Sequence, residues 1–136
     1  MAGWTSPEEK KVLDAYFNGT VLTPPDPMHL ALFTADPGDS GVVANEVSYT
    51  GYSRVSVTTT DWNTGVEGDP SYVDNASVFD FGVKTGGADE TASFWALCDG
   101  PSAGNVVFSG LITAPLLIQD GVQPQFPAGN LQARLD

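Results

Sequence analysis

Cations are scarce in this chain: five Lys and Arg stand against 17 Asp and Glu in 136 residues, a formal net charge of −12. A surface this acidic repels phosphate backbones, which argues against nucleic-acid binding. Histidine and cysteine occur once each, as His29 and Cys98. A single histidine ahead of an apolar strand, with no Ser or Cys beside it to activate, does not make a nucleophilic triad. One His and one Cys also cannot close a zinc ligand set. Cys98 has no partner for an internal disulfide, and its setting Phe94-Trp95-Ala96-Leu97 is that of a small buried hydrophobe. No apolar run approaches the ~20 residues of a membrane span. The start Met1-Ala2-Gly3-Trp4-Thr5 lacks the basic and apolar regions of a signal peptide, so a soluble protein without membrane contact is expected.

Acid chemistry has little to work with despite the charge. Gly38, Gly41, Gly86 and Gly87 lack the lysine and the strand-to-helix setting of a phosphate loop. Asp36, Asp39 and Glu46 offer oxygens to calcium, but in no EF-hand spacing, and Pro-Gly turns recruit Asp for local backbone hydrogen bonds. Nothing marks two of the 17 acids as facing each other across a glycosidase cleft. No cofactor, no metal and no enzymatic activity are expected. The bland reading of the charge is solubility. The sharper one is a particle surface facing water, or a basic docking partner.

What the chain does have is turns. Gly occurs 15 times and Pro 10 times among 41% hydrophobic residues, a balance that suits short strands better than a helical bundle. Leu30-Ala31-Leu32-Phe33 is a continuous apolar run, as in a strand covered on both faces, and Asp36-Pro37-Gly38-Asp39-Ser40-Gly41 ends it with a turn-rich acidic loop. Arg54-Val55-Ser56-Val57-Thr58 alternates with period two. Strands are predicted over residues 28–34, 52–59, 76–83, 93–98, 106–113, 116–119 and 131–135. Residues 99–105 read as a hairpin loop, and Asp120-Gly121 as a tight turn. Residues 61–75, with Asn63-Thr64-Gly65 and Glu67-Gly68-Asp69-Pro70, read as a long exposed loop. The spacing predicts a mainly β protein: an antiparallel β-sandwich with one short N-terminal α-helix, in a single domain over residues 1–136. Residues 1–27 form the helix and a Pro-rich docking connector through Pro24-Pro25, and 28–136 the sandwich. The predicted core is Leu30, Leu32, Val55, Val57, Phe79, Phe81, Trp95, Leu97, Val107, Leu111, Leu131 and Leu135.

The helix is predicted over residues 7–17. Ser6 is its N-cap, Pro7 its first position and Glu9 the capping-box partner, with Asn18-Gly19 as the C-cap. Val12, Leu13, Tyr16 and Phe17 share one face. So short a helix must dock, either over the open end of its own sandwich or on a neighbouring subunit. Trp4, Val12, Leu13, Tyr16 and Phe17 are therefore the candidate interaction residues. Arg54 is one of three basic residues beyond the N-terminus, with Lys84 and Arg134. It either pins the acidic loop through Glu46 or Asp36 with its bidentate fork, or sits on the polar face of its strand.

The order of motifs resembles a family of small tailed-bacteriophage virion proteins, labelled tail-fibre-like or head-decoration proteins. It runs from Ser6-Pro7-Glu8-Glu9 and the strand–acidic-loop block, through Glu46-Val47-Ser48 and Gly51-Tyr52-Ser53-Arg54. It continues with Gly104-Asn105-Val106-Val107-Phe108-Ser109-Gly110-Leu111, and closes with Phe126-Pro127-Ala128-Gly129-Asn130-Leu131 and Leu135-Asp136. The chain departs from that pattern in its longer acidic 61–75 region and at Trp95-Ala96-Leu97-Cys98. The resemblance implies a non-enzymatic structural protein of a tailed-phage virion. A short domain with no heptad shaft favours a capsid decoration protein on the outer shell, with the major capsid protein as partner, in homo-oligomers. A minor tail, tail-fibre or baseplate component bound to tail proteins is the alternative. A carbohydrate-binding module using Trp62, Tyr52 and Tyr72 is the rival from another class.

Overall fold

The computed structural model describes residues 3–65, 68 and 71–135. In chain order the elements are β1 (Gly3–Trp4), α1 (Ser6–Asn18), β2 (Met28–Phe33), β3 (Val55–Val57), a 3₁₀ turn (Thr59–Asp61), β4 (Trp62–Thr64), β5 (Tyr72–Asn75), β6 (Phe79–Asp80), β7 (Glu90–Cys98), β8 (Val106–Ile118), β9 (Gln125–Phe126) and β10 (Gln132–Arg134). They form a five-stranded sheet β1-β8-β7-β2-β3, a three-stranded sheet β10-β5-β4 and the pair β6-β9. All pairings are antiparallel, and α1 is the one α-helix among the described residues. The mainly β sandwich with an N-terminal helix is thus the observed architecture.

β2 shows why its apolar run is unbroken. Leu30 and Leu32 point into the main core between the sheets, while Ala31 and Phe33 point to the other face and join Ala96, Cys98 and Val106. The acidic loop crosses that second face: Thr34 N–H donates to Asn45 O and Val47 N–H to Leu32 O, laying Val43 against the smaller cluster. On the inner face Trp95 stacks with Phe108 at a centroid distance of 5.8 Å. The indole lies across Gly110, where a Cβ would come within 2.3 Å of it, so only glycine fits.

Several expectations are corrected. The two strands expected over 106–113 and 116–119 are one, β8, which ends at Ile118; the β7–β8 register shifts between Ala92 and Phe94, so residues 112–115 bulge out and Pro115 is spared a ladder bond. Residues 61–75 are not simply a loop: β4 and β5 form a hairpin there, with Trp62, Tyr72 and Val73 supplying the pleated, half-buried surface. Of the turn Glu67-Gly68-Asp69-Pro70, only Gly68 lies among the described residues, and Met1, Ala2 and Asp136 also lie outside them. The strands expected over 52–59 and 76–83 shrink to β3 and β6. Beyond β6 the backbone bonds loop segments instead, Phe81 N–H to Pro124 O and Lys84 N–H to Val122 O. Leu111 and Leu135 leave the predicted core, at 61% and 52% exposed, and Val55 is half-buried. Leu111 pairs with Phe94, one position from the inward Trp95–Gly110 pair, so alternation turns it outward.

Candidate functional site

α1 is fixed at its root and bare at its tip. The N-cap is Thr5 rather than Ser6, and the expected capping box does not form. Instead the Thr5 hydroxyl donates to Val106 O at 2.8 Å, its N–H donates to Val107 O, and Ser6 N–H donates to Asp39 O. These bonds stitch the helix start to β8 and the acidic loop. Glu8 lies against the body and takes a 2.6 Å bond from Lys11. The C-terminus ends as expected, with Gly19 left-handed at φ 68° and its N–H on Asp14 O.

Of the five candidate interaction residues, the structure keeps three together on the outside. Leu13, Tyr16 and Phe17 are 56%, 83% and 80% exposed, while Val12 is half-buried on the side facing the body. Trp4 is separate from that face: it sits in β1, edge-on to Phe108 at 5.1 Å, and packs on the main core. Val21 and Leu22, just past the helix, are also exposed. The helix therefore does not cover its own sandwich.

Elsewhere the sandwich is open. Trp4, Leu97 and Phe108 of the five-stranded sheet and Trp62, Val73 and Ala133 of the three-stranded sheet line a cleft of about 400 Å³. Its walls are almost wholly apolar, with Arg134 and Leu135 on its lining, and the Arg134 guanidinium lies 4.5 Å over the Tyr72 ring. The buried Trp62 Nε1–H has no hydrogen-bond partner among the described residues. Sequence reasoning missed this cleft, since its residues come from seven strands. The one local sign was aromatic Trp62 inside an acidic, turn-rich segment.

Three polar knots hold the loops. Arg54 grips Glu46 with both arms, Nε to Oε1 at 2.8 Å and Nη2 to Oε2 at 2.6 Å, and its Nη1 donates to Gly100 O and Ala103 O in the 99–105 hairpin loop. This settles the two readings of Arg54: it pins the acidic loop, through Glu46. Its side chain is 2% exposed, and the bond to Glu46 holds the guanidinium pKa above its usual value. Tyr52 donates its hydroxyl to the same carboxylate at 2.7 Å. Burial first, and that bond second, raise the Tyr52 pKa. Buried Lys84 donates to Gly87 O at 2.9 Å and pairs with Asp89 and Asp120, tying the Asp120-Gly121 turn to the 86–90 turn. Asp120 above all raises its pKa. Asn75, fully buried, donates to Ser77 O, Phe126 O and Pro127 O and accepts from Leu131 N–H. No sequence pattern marked Asn75.

None of this resembles a reaction centre. Asp36 Oδ1 accepts from Gly38 N–H, Glu46 is occupied by Arg54 and Tyr52, and no group of three or more potential metal ligands gathers among the described residues. His29 lies in β2 between Ser56 and Cys98. Burial pushes the Cys98 thiol up to about 12, so it is an inert core group. Tyr52 is enclosed by Tyr49 and Phe81, and Tyr72 is buried, so with Trp62 they make no exposed sugar platform. No helix among the described residues is long and apolar enough to cross a membrane.

Comparison with known proteins then supplies the family. A family model described as "Podophage GP4 fiber I protein gp80" matches residues 3–134. The chain belongs to that family. No curated protein matches it. Membership in the gp80 family makes the chain a phage structural protein and a component of the virion, as the order of motifs implied, and virion proteins are its partners. The gp80 match spans both the helix with its bare face and the cleft.

Proposed function

We propose that the protein is a non-enzymatic building block of the virion's fibre apparatus, joined to its neighbour through the bare face of α1. The observation that carries this reading is the pairing of a fixed helix root with Leu13, Tyr16 and Phe17 in solvent. A 13-residue helix is marginal alone in water, and adjacent aromatics outside a fold mark an interaction site. The family description, which names a fibre, favours this place over the capsid shell. The outer shell, with the major capsid protein as partner, is the second reading. Its support is the −12 charge, suited to a solvent-facing coat, and a chain without a heptad shaft.

Antibody labelling of purified virions, imaged by electron microscopy, tests both. Label on the appendages supports the fibre, and dense label over the head replaces it with the shell. Label nowhere on the particle defeats both. Incorporation of a Tyr16→Asp/Phe17→Asp variant into virions should fall at least about tenfold if the helix face is the assembly element.

A further inference from the structure

Two of the apolar surfaces among the described residues complement each other. One is the convex aromatic face of α1, with Leu13, Tyr16 and Phe17 exposed; the other is the apolar cleft between the sheets. We propose that the α1 face of one copy seats in the cleft of a second copy of this chain.

Two features match the two surfaces. First, shape and polarity: a cleft of about 400 Å³ walled by Trp4, Trp62 and Phe108 accepts a helix face presenting two aromatic rings and a leucine. Second, charge: the last turn of α1 carries no cation, leaving the negative end of the helix dipole uncompensated. Arg134 on the cleft provides a cation, one of only five in a chain of −12. Most other surfaces of so acidic a molecule would repel that helix end.

The occupant comes from another molecule because the helix root is pinned to Val106, Val107 and Asp39 of its own chain while the face stays bare. Helix and cleft are different patches, so the contact either closes reciprocally in a pair or passes head-to-tail around a ring.

The inference rests on the reading of α1 as an assembly element, and its test is a solution measurement on the full chain. Sedimentation or light scattering over a concentration series should show self-association. Tyr16→Asp/Phe17→Asp on the helix, and separately Leu135→Asp or Thr64→Glu on the cleft, should each weaken it at least about tenfold. All four positions are exposed, so circular dichroism and melting of each variant should match the wild type. A helix variant mixed with a cleft variant should form a two-chain complex that neither forms alone, since one intact helix meets one intact cleft. A monomeric wild type, association undiminished by the helix variant, or a mixture that stays monomeric would overturn the proposal. The virion labelling is independent of these results: a monomeric chain found on the fibre rejects the second copy and leaves the fibre reading standing.

Discussion

Around Arg54, Asn75 and Lys84 the polar groups are inside and partnered, whereas along α1 the large apolar groups are outside and bare. In the first region each buried charge or amide joins segments far apart in sequence: Arg54 reaches Glu46 and the 99–105 loop, and Asn75 reaches residues 126, 127 and 131. Those contacts are complete within one chain. In the second region local structure is held by the Gly19 C-cap and the i,i+4 pair of Lys10 and Asp14, but the large apolar groups have no tertiary partner among the described residues. With α1 as the proposed assembly element, the difference separates what this protein settles by folding from what it leaves to a neighbour.

Breaking the closed region should cost the most. Arg54→Leu strands the Glu46 carboxylate and frees two loop carbonyls, and should lower stability by about 3–5 kcal/mol in urea unfolding. Arg54→Leu combined with Glu46→Leu should lose less than the single change, because no unpaired charge remains buried. Equal losses would assign the effect to the loop contacts. Asn75→Ala removes, in a fully buried site, the amide that serves three carbonyls and the Leu131 N–H, and should cost about 2–4 kcal/mol by the same measurement. A loss near zero would mean that water replaces the amide.

A smaller effect tests the core by pH. The folded Cys98 thiol keeps its proton to about 12, whereas the unfolded thiol releases it near 9.0. The native state therefore binds more protons than the unfolded state in that window, and stability falls as pH rises from 9.0, by at most about 1.4 kcal/mol per pH unit. Raised Tyr52 and Lys84 act the same way, from 10.0 and 10.5 upwards. Between pH 9 and 10 the slope belongs to Cys98, and Cys98→Ala should flatten it in denaturant titrations. The smallest effect lies in the open region. Tyr16→Asp should change the stability of the isolated monomer by less than about 0.5 kcal/mol. A larger loss would show that α1 packs on its own body.

The sequence shows most where periodicity and burial agree. Leu30 to Phe33, Trp95 and Cys98 are apolar residues in apolar runs, and their strands and burial are legible without a structure. Arg54 stands out as a rare cation near acids, although only coordinates choose Glu46. Thr5 shows the limit: its hydroxyl is a standard cap by type, yet a carbonyl 101 residues away competes for it and wins. The cleft is invisible for the same reason, since it exists only where two sheets fail to meet. Leu111 was read as core because apolar type carries no information about which face of a bulged strand it joins.

β1 has a kinetic meaning as well as a structural one. Gly3 pairs with Ser109 and Trp4 with Phe108, so this attachment of the α1 root waits until residues 108 and 109 have been made. Closure across so long a separation is slow, roughly milliseconds to seconds in sheets of this kind. The contact of Trp4 with Phe108 both fixes the root of α1 and supplies one wall of the cleft. The helix face and the cleft proposed to receive it are thus completed by one and the same contact.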